Sequence, residues 1–156
     1  LVYSTLHTNS AVATIARLFD LGLKPYVVAT ALEGIIAQRL VRSVCPNCSQ
    51  PAAPDPAVLS RLGPVFAGIS EIRRGRGCDA CHGSGYKGRV GIYEILTLDD
   101  PLRDCIGSGA SVLEISRQAR QRGLRSIIHH AFERVQAGAT TPDEILRVLG
   151  PMTGEY

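Results

Sequence analysis

The spacing of apolar and polar residues at the start of the chain predicts a strand followed by a helix. Residues 1–6 alternate weakly between apolar and polar positions, a pattern typical of a buried strand. Asn9 or Ser10 then provides an N-cap for a helix that ends near Gly22. The predicted apolar face of this helix consists of Val12, Ile15, Ala16 and Phe19.

A second, longer helix is predicted over residues 25–41, because Pro25 fits the first turn of a helix. Its apolar residues recur at helical spacing and are Val28, Leu32, Ile35, Ile36 and Leu40. Prolines and glycines then predict an irregular segment over residues 45–88. Residues 89–96 return to a strand-like pattern.

The rest of the chain is predicted to be helical. Asp100 opens a short helix, and Ser111 with Glu114 forms a capping box for the next one. A further apolar stripe follows, and Thr141 begins the capping sequence of a last helix. The stripe consists of Leu124, Ile128, Ala131 and Val135.

The composition is that of a globular chain. Of its 156 residues, 45% are hydrophobic and 20% are charged, which excludes the disordered, collagen-like and coiled-coil classes. No stretch of 18 or more residues is both apolar and uncharged, so no membrane-spanning helix is predicted. The single methionine is Met152 and the first residue is Leu1, so we expect the C-terminal piece of a longer protein.

Four of the five cysteines form two CxxC pairs, Cys45 with Cys48 and Cys78 with Cys81. Tetrahedral zinc needs four ligands, and a two-residue gap lets both thiolates of a pair face one ion. The spacing therefore favours a closed structural zinc site, with disulfides or redox chemistry as the competing interpretation. The fifth cysteine, Cys105, is predicted to be a small buried residue on a helix.

The net charge of +3 is unevenly distributed. Residues 39–89 contain eight basic and three acidic residues, and such a basic segment is typical of a nucleic-acid or phosphate surface. Four thiolates and one Zn²⁺ leave a negative charge, however, and we expect nearby basic residues to offset it. These basic residues are Arg42, Arg73, Arg74, Arg76, Lys87 and Arg89.

Residues 83–88 match the GxGxxG pattern of phosphate-binding loops. Such loops need a preceding strand and a following helix, whereas here a predicted zinc knuckle precedes and a strand follows. We therefore interpret the glycines as a tight turn that leaves the metal site. No complete GxxxxGK[ST] loop occurs in the sequence.

Several blocks of the sequence resemble a known family. They are residues 4–9, residues 38–42 leading to Cys45, and residues 77–94, which read GCDACHGSGYKGRVGIYE. Together with residues 138–148, they are similar to the C-terminal portion of the bacterial type II secretion and type IV pilus assembly ATPases. The resemblance covers nearly the whole chain and does not separate secretion from pilus assembly.

This resemblance implies an α/β fold in three parts. Residues 1–44 would be the distal part of a RecA-like P-loop ATPase core, and residues 45–88 an inserted tetracysteine zinc subdomain. Residues 89–156 would form a return strand and an α-helical C-terminal subdomain. The family's phosphate-binding loop, acidic boxes and arginine fingers precede the histidine motif, so we expect the chain alone to be inactive toward ATP.

The family resemblance also implies cofactors and partners. The parent protein would be a cytoplasmic homohexameric motor that hydrolyses ATP with Mg²⁺ and carries structural zinc. It would contact platform components at the inner membrane, and no nucleic-acid partner is expected.

Four residues are candidates for a nucleotide site. Of the family's histidine box the part around His7 is present, and the resemblance implies that His7 senses the γ-phosphate or positions water. The alternative is a histidine that hydrogen-bonds the start of the following helix. Arg89 is a candidate nucleotide-proximal residue, as are Gln38 and Arg39, with a salt bridge or charge compensation as the competing role.

Two other functions fit parts of the sequence. Residues 78–85 match CxxCxGxG, the zinc repeat of the Hsp40 chaperones, which would make the chain a stand-alone structural module. That family carries four copies, and residues 45–51 lack both glycines. A nucleic-acid-binding zinc ribbon fits the basic segment, although at most Phe66, Tyr86 and Tyr93 lie near it for stacking.

Overall fold

The computed structural model of the protein describes residues 1–152 and is mixed α/β, as predicted. By its internal contacts the chain divides into two units. The first consists of Leu1–Ala37 and Tyr93–Ile127, and the second of Gln38–Ile92 and the described residues from Ile128 onward. The elements in chain order are α1 (Ala11–Asp20), α2 (Pro25–Ala31), β1 (Gly34–Val44), β2 (Ser49–Ala52), α3 (Pro56–Leu62), β3 (Ile72–Gly75), β4 (Tyr86–Thr97), α4 (Asp100–Gly107), α5 (Val112–Gln121), α6 (Ile127–Gln136) and α7 (Pro142–Leu149).

The strands form two pairs, β1 with β4 and β2 with β3. The amide of Leu98 donates to the carbonyl of Glu33, and the amide of Cys45 donates to the carbonyl of Gly85. These two bonds lie at opposite ends of the first pair, so β1 and β4 run antiparallel. Strands β2 and β3 are also antiparallel, in a register from Ser49 opposite Gly75 to Ala52 opposite Ile72.

The predicted helix starts are confirmed where a short polar side chain caps the helix. The Ser10 hydroxyl accepts a hydrogen bond from the Ala13 amide at the start of α1. In the same way, the Ser111 hydroxyl accepts from the Glu114 amide at the start of α5. The Thr141 hydroxyl accepts from the Glu144 amide at the start of α7. These bonds satisfy amides that have no partner inside the helix, and they depend only on local sequence.

The predicted helix over residues 25–41 is wrong beyond its first two turns. Helix α2 ends at Ala31, and the following residues form strand β1. Ile35 and Ala37 are buried whereas Ile36 and Gln38 are exposed, which is the two-residue period of a strand. Pairing with β4 therefore overrides a spacing of apolar residues that also fits a helix.

The predicted strand over residues 1–6 is also wrong for this structure. Residues 1–8 form neither helix nor strand, and Leu1, Val2 and Tyr3 are exposed. A strand needs a hydrogen-bonded neighbour, and within residues 1–152 the four strands are paired only among themselves.

The core of the first unit is formed by α1, α2, α4 and α5 with residues from β1 and β4. Cys105 on α4 is partly buried and packs against this core, in agreement with its predicted role. The buried residues of the core are Ala11, Val12, Ile15, Val28, Ala29, Ile35, Leu96, Leu98, Leu102, Ile106, Ile115 and Ala119.

The segment predicted to be irregular, residues 45–88, contains more regular structure than expected. It includes β2, α3 and β3, with short 3-10 turns at Pro64–Phe66 and Asp79–Cys81. Phe66 is fully buried and meets Phe132 of α6 edge to face, with ring centroids 5.6 Å apart. The predicted return strand is confirmed as β4, which begins three residues earlier than expected.

Two glycines let the backbone segments on either side of the cysteines approach closely. A Cβ atom placed on Gly75 would lie 2.1 Å from the carbonyl oxygen of Gly85. A Cβ atom on Gly85 would lie 2.5 Å from the carbonyl oxygen of Gly75. Neither neighbour is a flexible side chain, so a larger residue at either position must displace backbone.

We therefore expect Gly75→Ala to destabilise the second unit by about 1–3 kcal/mol, because the added methyl group overlaps the Gly85 backbone. Urea denaturation followed by circular dichroism measures this change. Gly107→Ala is the matched control, since its new Cβ would lie at an ordinary 3.4 Å from Ala29 on α2. Equal stability of Gly75→Ala and the unsubstituted protein would contradict the close backbone approach.

Candidate metal centre

Two backbone turns bring four cysteines together in the second unit. Cys45 follows β1 and Cys48 precedes β2, whereas Cys78 and Cys81 lie at the 3-10 turn before β4. Their four sulfur atoms all lie within 4.8 Å of one another. Cys78 is partly exposed, and the other three are buried.

The sulfur positions fit one four-coordinate metal ion. The Sγ–Sγ distance is 3.9 Å between Cys45 and Cys78, 3.8 Å between Cys48 and Cys81, and 3.7 Å within the second pair. Four sulfurs at about 2.3 Å from a tetrahedral ion stand about 3.8 Å apart. The four cysteines are free of disulfides in this structure and are positioned to bind a metal ion.

Backbone amides make the second pair suited to a thiolate. Burial opposes ionisation of Cys81, but the amides of Cys78 and Gly85 donate to its sulfur at 3.2 and 3.3 Å and lower its pKa to about 6. Burial raises the pKa of Cys48 to about 11. A cation at the centre would supply the positive charge that several buried thiolates require.

The glycine-rich segment after the second pair is a turn, as interpreted from the sequence. His82 has a left-handed backbone with φ of 50°, and β4 begins at Tyr86. No helix starts there, so the arrangement of a phosphate-binding loop is not formed. His82 is exposed and does not belong to the metal-binding cluster found among residues 1–152.

A buried carboxylate holds α7 against the strand that leads to Cys45. The side chain of Glu144 has no exposed surface and accepts hydrogen bonds from Arg42 Nε at 2.8 Å and Nη2 at 2.7 Å. It also accepts the backbone amide of Arg42 at 2.9 Å. Arg147 completes the group through Nε at 2.7 Å and Nη2 at 2.6 Å. Burial alone would raise the pKa of Glu144, but these donors lower it to about 2.

The same arginine contacts the strand that leaves the metal centre. The Arg42 guanidinium lies 4.2 Å from the centre of the Tyr86 ring. The Tyr86 hydroxyl is 2.7 Å from the hydroxyl of Thr141, and Thr140 donates to the Arg42 carbonyl at 2.8 Å. The start of α7 is thus fixed to the chain on both sides of the four cysteines.

Two arginines of the expected charge-compensating group have carboxylate partners at the start of α7. Arg42 shares Glu144 with Arg147, and Arg74 pairs with Asp143 at 2.5 Å. Arg73 donates to the Ser49 hydroxyl. The remaining basic residues of this group are exposed: Arg76, Lys87 and Arg89.

The candidate nucleotide residues His7 and Arg89 both lie outside the metal centre. His7 is exposed in the segment before α1 of the first unit. Arg89 is exposed on β4 in the second unit. The structure therefore brings the four cysteines together, whereas His7 and Arg89 belong to different units.

Sequence reasoning missed two buried carboxylates, Glu94 and Glu144. Glu94 lies on β4 between the buried residues Ile92 and Leu96, so its place in the strand period was a usable signal. Glu144 occupies the third position of α7, where the local sequence indicates only a role in capping the helix. The backbone and side-chain partners of Glu144 on β1 are 102 positions away and leave no local pattern.

Comparison with known proteins finds relatives named for type II secretion and for type IV pilus assembly. The family model described as type II/IV secretion system protein matches residues 1–147. Type II secretion system protein E of Pseudomonas aeruginosa is 45% identical over 148 residues, which cover 95% of this chain and 29% of the relative. Type IV pilus assembly ATPase PilB of Thermus thermophilus is 43% identical over 148 residues, covering 94% of this chain and 17% of the relative.

A third relative matches a larger share of the chain. Type IV pilus assembly ATPase TfpB of Acinetobacter baylyi is 38% identical over 155 residues, which cover 98% of this chain and 26% of the relative. The chain therefore spans less than a third of the length of these curated relatives. No helix among the described residues is long and apolar enough to cross a membrane.

We expect Glu144→Gln to lower the unfolding free energy of the second unit by about 3 kcal/mol at pH 7, because the guanidinium groups of Arg42 and Arg147 lose the negative charge that both contact. The carboxyl pKa is about 2 in the folded chain and 4.5 in the unfolded one. The stabilisation is therefore full above about pH 4.5 and is lost as the pH falls toward 2. Urea titrations between pH 2 and 7 measure it.

The control for this prediction is Glu71→Gln, which removes an exposed carboxylate of the same unit. This variant should keep the stability and the acid dependence of the unsubstituted protein. If Glu144→Gln loses stability in acid as steeply as the unsubstituted protein does, Glu144 is not the responsible group.

Proposed function

Because the chain belongs to the type II/IV secretion system protein family, we propose that it is the C-terminal portion of a motor ATPase that drives type II protein secretion or type IV pilus assembly. The family match over residues 1–147 carries this proposal and confirms the resemblance noted in the sequence. The sequence identity is 45% with a relative named for type II secretion and 43% with one named for type IV pilus assembly, so the proposal covers both processes.

The proposed organisation has three parts. Residues 1–44 are the distal part of a RecA-like core, and residues 45–88 are a zinc-bearing insert. Residues 89–156 are a return strand followed by a helical subdomain, of which residues 153–156 lie outside the part of the chain that the structure describes. The parent protein acts as a homohexamer on the cytoplasmic side of the inner membrane, where platform components of the machine hold it.

The proposed ion at the four cysteines is zinc. Thiolate ligands favour soft or borderline metals, and a tetrahedral set of four sulfurs is the geometry of structural zinc. All four positions are taken by protein ligands, which leaves none for a substrate. The ion would cross-link the turn after β1 to the turn before β4 and stabilise the insert.

The proposed nucleotide contacts are His7 and Arg89, with ATP and Mg²⁺ bound chiefly by parts of the parent protein that precede this segment in the family. The exposed side chains of both residues support this role, since neither is committed to a core. His7 would face the γ-phosphate or its attacking water, and Arg89 would offset phosphate charge.

We expect the purified chain to contain one zinc ion, and Cys45→Ser and Cys81→Ser to lose it along with much of the thermal stability of the second unit. Metal analysis by inductively coupled plasma mass spectrometry and calorimetry measure both effects. Cys105→Ser is the control, because Cys105 lies outside the cluster. Full metal content and unchanged melting in either cluster variant would reject the site.

The motor assignment predicts that the gene encodes a GxxxxGK[ST] loop within roughly 150 residues upstream of Leu1, between a strand and a helix. The full-length product should hydrolyse ATP, and replacing the lysine of that loop should abolish turnover. The 156-residue chain should be inactive. Turnover by the chain alone, or upstream CxxCxGxG repeats in place of the loop, would reject the assignment.

A further inference from the structure

A second buried carboxylate, Glu94, accepts hydrogen bonds from two residues of the first unit, each of which begins a helix. Glu94 is 5% exposed, and its Oε1 accepts the amide of Ala11 at 2.7 Å. Its Oε2 accepts the amide of Ile127 at 3.3 Å. These are the first residues of α1 and α6, whose amides have no partner within their own helices. A negative charge also complements the positive end of each helix dipole.

The segment that carries His7 is fastened to the start of α1. The hydroxyls of Thr8 and Thr14 lie 2.7 Å apart, so one donates to the other. The hydroxyl that accepts donates its own proton to the carbonyl of Ser10, which lies 3.2 Å from Thr14 Oγ1 and 3.4 Å from Thr8 Oγ1. Residues 8–10 are therefore held to the first turn of the helix, and His7 directly precedes them.

These contacts form a continuous path from the strand after the cysteine insert to the histidine. Glu94 on β4 binds the amide of Ala11, and the first turn of α1 holds residues 8–10. The position of these residues determines the position of His7, which directly precedes them. We propose that Glu94 is a positioning residue that holds His7 in place for ATP hydrolysis. This proposal rests on the nucleotide role proposed for His7.

We expect loss of the Glu94 carboxylate to affect the position of His7 more than the binding of ATP. In Glu94→Gln the amide oxygen still accepts one hydrogen bond, but the NH₂ group faces the other helix amide, a donor against a donor. One helix start then loses its buried acceptor and shifts. A displacement of about 1 Å at a reacting group costs about a hundredfold in rate.

The test uses the full-length ATPase with Glu94→Gln, His7→Gln and the double substitution. We expect each single variant to lower kcat about ten- to hundredfold with little change in KM for ATP. The double variant should be no slower than the slower single variant, because both changes disable the same step. The control is Glu71→Gln, which changes an exposed carboxylate of the second unit and should retain full turnover.

A separate readout guards against a variant that does not fold. Amide hydrogen exchange in the 156-residue chain should be faster at residues 8–11 and at Ile127 in Glu94→Gln, with the four cysteines still binding zinc. If Glu94→Gln is unfolded, Glu94→Asp replaces it. That variant keeps the charge but shortens its reach, and the same non-additivity with His7→Gln is expected.

The outcomes separate this proposal from the one on which it rests. Full turnover of His7→Gln overturns the nucleotide role of His7 and, with it, the path through Glu94. A slow His7→Gln variant combined with unchanged turnover in Glu94→Gln overturns only the positioning role. Losses that multiply in the double variant also overturn it, since they show that Glu94 acts apart from His7.

Discussion

The buried charge of Glu144 is the constraint on which the second unit depends. Removing a carboxylate from water costs several kcal/mol, and here five N–H donors from Arg42 and Arg147 offset that cost. The donors come from a strand and from the same helix as the carboxylate, so they are satisfied together only when α7 lies against β1. The Arg42 guanidinium in turn covers Tyr86, the first residue of β4. A single carboxylate therefore orders the chain on both sides of the cysteines.

The two buried carboxylates serve the two units in different ways. Glu144 is neutralised by guanidinium groups, whereas the bonds found for Glu94 come from backbone amides at two helix starts. Guanidinium groups bring full charges and a planar fork, which suits a fixed attachment. Helix amides bring partial charges, and they make the position of a helix depend on the position of a strand. The first arrangement supports the metal centre, and the second supports the segment that bears His7.

What could be predicted from the sequence was what local chemistry determines. The N-caps Ser10, Ser111 and Thr141 act within three residues, and the CxxC pairs carry their ligand geometry in their own spacing. Residues 32–41 were misassigned because their apolar spacing fits both periods and only pairing with β4 decides between them. Glu94 and Glu144 were missed because the groups that make them buried are distant in sequence.

The 102 positions between Arg42 and Glu144 also impose an order of events during synthesis. At roughly 5–20 residues per second, about 5–20 seconds pass between the emergence of the arginine and that of its carboxylate. All four cysteines have left the ribosome well before then, since the last of them is Cys81. A metal ion can thus bind the four cysteines while the chain is still being synthesised. Arg42 and Tyr86 are then already in place when α7 is synthesised and packs against them.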